Sequence, residues 1–194
     1  LAAFLIVRQT DVKRMFAYSS IEHMGIITFA FGMGGPVANF AALLHMTGHA
    51  LTKSAIFYTT GHASQKAHSQ RIDDIQGLRE QSPALGRGLM IGVLAIAGTP
   101  PFSVFASEFL ILTTAMQQQP WATPILLLGL GVAFGALFLR GQGMVFGRSN
   151  LRELSHAPNM TPVFVHLALV LLLGLWMPQF LVSWWHTAAA MIGG

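Results

Sequence analysis

One apolar stretch, HMTGHALTKSAIFY, carries three ionisable residues: His45, His49 and Lys53. Their spacing is i, i+4, i+8. Each step of four residues turns an α-helix by about 40°, so all three share one face. Ionisable groups inside a membrane helix are costly, and they face the bundle interior or a water-filled cavity. Burial disfavours the charged form of a lysine, and histidine exchanges protons near neutral pH. The stripe is therefore suited to passing protons. The structural alternative has each group held by a backbone carbonyl or a helix partner. Three such groups in register in lipid favour the proton role over that alternative.

A second centre lies in AGTPPFSVFASEFLIL. Pro100 and Pro101 remove two backbone donors and clash with the preceding turn, so with Gly98 they break the helix into two half-helices or leave it with a simple proline kink, and the sequence of the break alone favours neither. Such breaks are tolerated in membranes only where the freed backbone is buried or lines a wet cavity, and they recur at ion-transport sites. Glu108 falls about two turns into the second half-helix, away from either interface. A carboxyl group there is neutral, or charged only when paired. It exchanges a proton as neighbouring cations approach or leave, or else it serves a buried structural ion pair.

Glu22 and His23 lie early in an apolar run, close enough to a basic loop for Glu22 to pair with Lys13 or Arg14. Spacing leaves them divided between a proton path and a structural role. His166 is a lone histidine near the start of its run, and it reads as structural. Asp73, Asp74, Glu80 and Glu153 sit among basic residues and read as solvated charges. His62, His68 and His156 are loop histidines without metal-ligand grouping. Ser19, Ser20 and Ser107 stand near His or Glu, but nothing resembles a nucleophile elbow. No Walker loop, dinucleotide glycine pattern or cysteine motif is present. The expectation is therefore no catalytic centre, cofactor site or metal site in this chain.

These residues need helices to hold them. The chain of 194 residues is 53% hydrophobic and 9% charged, against roughly 25% charged in soluble domains. Its apolar residues come in runs long enough to cross a bilayer, which takes about 20 residues per helix. The fold class is all-α, a polytopic transmembrane helix bundle with one discontinuous helix. Spans are expected at about 1–7 (partial), 16–33, 37–60, 85–116 (broken at 98–101), 125–139 and 162–185, in a single transmembrane domain. The stretch 61–83 reads as an extramembrane loop. Trp184 and Trp185 fit an interfacial aromatic belt. The chain opens at Leu1 with LAAFLIV, without an initiator Met or signal-peptide layout, so it reads as a fragment that begins inside a span. Zero cysteines remove disulfides, iron–sulfur clusters and thiol catalysis.

Lys and Arg number 11. All except Lys53 fall in or beside the segments 8–14, 61–87 and 140–152. The intervening loops, around 33–36 and 117–124, carry none. This is the positive-inside pattern, which places the three basic segments in the cytoplasm. It also explains the net charge of +4 without nucleic acid.

TDVKRMFAYSSIEHMGI (residues 10–26), HMTGHALTKSAIFY (45–58) and AGTPPFSVFASEFLIL (97–112) resemble, in order, three segments of one family. These are the antiporter-like membrane subunits of respiratory complex I, of multisubunit Na+/H+ antiporters and of membrane-bound nickel–iron hydrogenases. The Glu22-His23 pair is most similar to the hydrogenase-4 component F type, related to formate hydrogenlyase. The resemblance implies a fold of about fourteen transmembrane helices in two inverted repeats. This chain would cover the second repeat, from the end of the ninth helix onward. Lys53 would belong to the eleventh helix and Glu108 to the broken twelfth.

The resemblance implies proton translocation driven by redox chemistry in partner subunits. Lys53, Glu108, His49 and His45 would form the proton path, with Glu22 and His23 as further candidates. Redox centres would lie in a peripheral arm, beside other membrane subunits and the lipid bilayer, in a bacterial inner membrane. Na+/H+ antiport and a purely anchoring role without pumping are the competing readings.

Overall fold

The computed structural model describes residues 1–148 and 158–192. The basic residue Arg152, with Glu153 and His156, lies outside them. The described residues form nine α-helices and one 3-10 turn, with no strand. They are α1 (Ala2–Val7), α2 (Val12–Met33), α3 (Pro36–Ala67), α4 (Leu78–Gln81), α5 (Pro83–Ile96), α6 (Ser103–Gln118), α7 (Thr123–Phe146), α8 (Thr161–Leu175) and α9 (Gln179–Ile192). Among them, α7 alone is long and apolar enough to cross a membrane by itself, and α8 with α9 qualifies as a bent pair.

Local sequence explains the boundaries. Asp11 caps α2 by accepting the Arg14 backbone N–H at 2.9 Å, which satisfies one orphan donor of the first turn. Gly34 and Gly35, with φ of 71° and 85°, make the turn into α3. Proline stands in the first turn of α3, α5, α7 and α8, where its missing N–H costs nothing.

The helix α3 forms the centre of the bundle. It packs against α2, α5, α6, α8 and α9. It also runs seven residues past Thr60, through GHASQKA, which sequence alone assigned to a loop. Polarity ended the apolar run there but did not end the helix, since nothing in GHASQKA breaks one. Lys66, in that last turn, is half-buried without a partner. Desolvation pulls its pKa below the usual lysine value.

Two breaks shape the rest. Helix α5 ends in a Schellman motif: Gly98 has φ +68°, Thr99 N–H donates to Leu94 O and Gly98 N–H to Ala95 O. Gly98 thus stops the helix, and Pro100-Pro101 keeps it from resuming until Ser103. The second break separates α8 from α9, which bend by 77°. Sequence alone read a single span here. Trp176 is extended and Pro178 stands two residues on, so the helix stops ahead of a residue that cannot continue it. Helix α9 then folds back on α3. Asn39 Nδ2 donates to Ala189 O at 3.1 Å, and Trp185 packs edge-on against Phe40 at 6.0 Å. Trp185 is therefore buried, not part of an interfacial belt, whereas Trp184 is exposed.

The described basic segments meet at one end. Val12 N–H donates to Gln70 O and Ile72 N–H to Thr10 O, joining 8–14 to the segment after α3. Arg140 Nη2 donates to Val7 O, and the Arg79 guanidinium stacks 5.5 Å from the Phe146 ring.

Candidate functional site: a buried histidine–carboxyl cluster

Helices α2, α3 and α6 each turn one polar stripe inward. On α2 the buried positions include Phe16, Ser19, His23 and Ile27, a helical face. On α3 they include His45, His49 and Lys53, and on α6 Ser103, Ser107 and Glu108. Gly48 allows the close approach of α3 and α6. A Cβ there would stand 2.5 Å from Ser103 Oγ.

The structure joins these stripes. His23 Nδ1 lies 2.9 Å from His45 Nε2, and His45 Nδ1 lies 2.9 Å from Ser107 Oγ. Ser107 in turn donates to Val104 O at 2.8 Å. Glu108 Oε1 stands 3.9 Å from His23 Nδ1 and has no hydrogen-bond partner. The His49 ring packs 5.0 Å from that of His23, and its Nδ1 is likewise unpartnered. The carbonyl of Ile96, at the broken end of α5, is a second acceptor beside the His23 ring.

Lys53 sits beside this cluster in its own cradle. Its ammonium donates to Phe16 O at 2.8 Å and to Ser19 Oγ at 2.9 Å. The Phe16 and Phe57 rings flank it at 5.4 and 5.9 Å, so a cation here gains from both ring faces. An ammonium has three donors, and two of them are engaged.

Gly98 matters twice. Its positive φ suits glycine, and its bare Cα makes room for Glu108, whose carboxylate would collide with any Cβ placed there. Glu22, His23, Ile96, Ala97 and Glu108 line a cavity of about 10 Å³, near the room one water needs. Glu22 also faces a groove of about 310 Å³ between α1, α2 and α7. The acid thus stands between the groove and the cluster.

His23, His45 and Glu108 present ligand atoms within 4.8 Å of one another, the spacing of a candidate metal group among the described residues. With metal–nitrogen bonds of about 2.0 Å, two tetrahedral ligands stand about 3.3 Å apart. The His23–His45 separation of 2.9 Å fits a shared proton better.

Of the residues singled out from sequence, His45, His49 and Glu108 come together directly, and Lys53 lies beside them. His23, which spacing left undecided, is at their centre. Glu22 does not pair with Lys13 or Arg14; one of its carboxylate oxygens is buried without a partner. Ser19 and Ser107 contact the cluster, yet neither carries a role in the sequence reading. Ser19 is four residues before His23, on the same helical face, and that was the available signal.

A family model described as NADH:quinone oxidoreductase/Mrp antiporter, TM, matches residues 1–135. A hydrogenase-4 component F homolog from Methylacidiphilum infernorum is 47% identical over 191 residues, 98% of this chain and 40% of that protein's length. Among solved structures, a chain of the membrane-bound sulfane sulfur reductase, an archaeal respiratory membrane complex, superposes with a TM-score of 0.86 at 26% identity, covering 98% of this chain and 39% of that one. A chain of respiratory complex I from Thermus thermophilus shares the fold at a TM-score of 0.87 and 23% identity, covering 99% of this chain and 41% of that one. The family match takes in all three segments that carried the resemblance, and the helical architecture agrees with it: the chain belongs to the NADH:quinone oxidoreductase/Mrp antiporter family of integral membrane proteins.

Proposed function

We propose that this chain is the second-repeat portion of a proton-translocating subunit in a redox-driven membrane complex of the hydrogenase-4 or NADH:quinone oxidoreductase-like type. The observation that carries this reading is the Glu108 carboxyl group. Its Oε1 is buried without a hydrogen-bond partner beside a broken helix, 3.9 Å from a histidine already hydrogen-bonded to a second one. A buried carboxyl group left unpaired is expensive, and exchange of a proton with the histidines gives that cost a purpose. Lys53, Glu108, His49 and His45 are the proton path, with His23 and Glu22 at its inner and outer margins. Redox centres belong to partner subunits and a peripheral arm. The basic segments face the cytoplasm of a bacterial inner membrane.

The test is proton pumping in vesicles that hold the full-length subunit in its complex, comparing wild type with Lys53→Ala and Glu108→Gln. The expected result is loss of pumping with assembly retained. Unchanged pumping in both variants overturns the reading and leaves an anchoring role. Transport that requires sodium moves the assignment to Na+/H+ antiport.

A further inference from the structure

Ser107 is fully buried one residue before Glu108. Its hydroxyl donates to Val104 O and stands 2.9 Å from His45 Nδ1. A serine hydroxyl has one proton to give. With that proton committed to Val104, the oxygen meets His45 as an acceptor, and His45 must carry its hydrogen on Nδ1. The bond made by one ring nitrogen sets the protonation of the other. His45 Nε2 therefore holds a lone pair, and His23 Nδ1 is the donor to it across 2.9 Å.

We infer that Ser107 is a positioning residue that locks His45 as its Nδ1–H tautomer and so makes His45 Nε2 the proton acceptor of the cluster. The inference rests on the proton-carrying reading and assigns its direction. His23 Nδ1 stands between Glu108 Oε1, at 3.9 Å, and His45 Nε2, at 2.9 Å. The His45 Nε2 lone pair accepts the His23 Nδ1–H, so a proton from Glu108 reaches His45 by way of the His23 ring. The step breaks the Glu108 O–H bond and forms His23 Nε2–H across the cavity that both residues line, while the His23 Nδ1–H bond breaks and His45 Nε2–H forms. It leaves a carboxylate and a His45 imidazolium, with His23 neutral and no change in redox state. The far end of this chain is closed, because Val104 offers a backbone carbonyl that does not take up a proton. His45 thus loads and unloads through Nε2 alone, a one-sided store that cannot leak through Ser107. Without the hydroxyl, the Nε2–H tautomer competes, and its hydrogen occupies the acceptor site.

The experiment uses the full-length subunit in its complex with 15N-labelled histidine. His45 is assigned by difference against His45→Gln. Wild type is expected to show His45 as the Nδ1–H tautomer. Ser107→Ala is expected to shift it toward Nε2–H and to slow pumping about tenfold at normal assembly, the scale of losing a group that orients a histidine. Ser107→Thr keeps the hydroxyl and is expected to restore both. An Nε2–H tautomer in wild type, or an unchanged His45 tautomer in Ser107→Ala, overturns the inference. The expected tautomers together with normal pumping in Glu108→Gln uphold the lock and overturn the proton-path reading instead.

Discussion

The carboxylate of Glu108 occupies the space over Gly98 where any other residue would carry its Cβ. Two demands therefore fall on one position: a left-handed backbone, with φ +68°, and an empty side-chain volume. Gly98→Ala violates both. The backbone term alone costs about 1–2 kcal/mol, and the methyl group displaces the acid from His23. The expected outcome is a complex that assembles with a lower thermal midpoint and pumps poorly. Normal pumping in Gly98→Ala would detach Glu108's position from its role.

Lys53 depends on Ser19 for one of its two hydrogen bonds. A bond to a charged group contributes about 1.5–3 kcal/mol. Ser19→Ala removes it and leaves Phe16 O as the remaining partner. We expect a destabilised complex and a changed pH profile of pumping, since the ammonium loses one of its two hydrogen-bond partners. Ser19→Thr retains the hydroxyl and is expected to behave as wild type. A pH profile in Ser19→Ala identical to wild type counts against the link.

Gly48 and Gly61 share α3 and predict opposite outcomes. A Cβ on Gly48 meets Ser103 Oγ at 2.5 Å, whereas one on Gly61 meets nothing within 4 Å. Overpacking typically costs about 1–3 kcal/mol. Gly48→Ala should push α6 from α3, weaken the His45–Ser107 bond and lower thermal stability. Gly61→Ala should be neutral or stabilising, since alanine favours a helix by up to about 1 kcal/mol. Thermal unfolding of the two complexes side by side distinguishes them.

Asn39 ties α9 to α3 through the carbonyl of Ala189. Asn39→Leu removes that tie, at a cost near 1 kcal/mol. The expected change is local: faster proteolysis or higher hydrogen exchange in 179–192 with pumping preserved. Exchange spread over α2 and α6 as well would show that α9 braces the whole bundle.

Sequence periodicity was informative where one helix carried the pattern. His45, His49 and Lys53 lie on one buried face of α3, as their spacing requires. Gly98 and the two prolines marked the break between α5 and α6. Relations between helices were not legible. The link from His23 through His45 to Ser107 spans three helices, and no spacing within one segment encodes it. The 77° bend after Leu175 is hidden in the sequence for another reason. Hydropathy runs smoothly through LLLGLWMPQFLV, and only Pro178 hints at a stop. Gly174 shows what fixes that corner: a Cβ there would collide with the carbonyl of Pro101, so the second break is packed against the first.

The length of α3 has an electrical consequence. Its 32 residues span about 48 Å, well beyond a hydrocarbon core of about 30 Å. Were α3 to cross a bilayer at the common tilt of about 20°, with Pro36 at one boundary, His45 would lie about 13 Å deep and Lys53 about 24 Å deep. A proton passing between them would then cross roughly a third of the membrane's voltage drop, about 0.8 kcal/mol for each 100 mV. On the proposed function, the two ends of the stripe would sit at different potentials, and the membrane voltage itself would bias which end holds the charge.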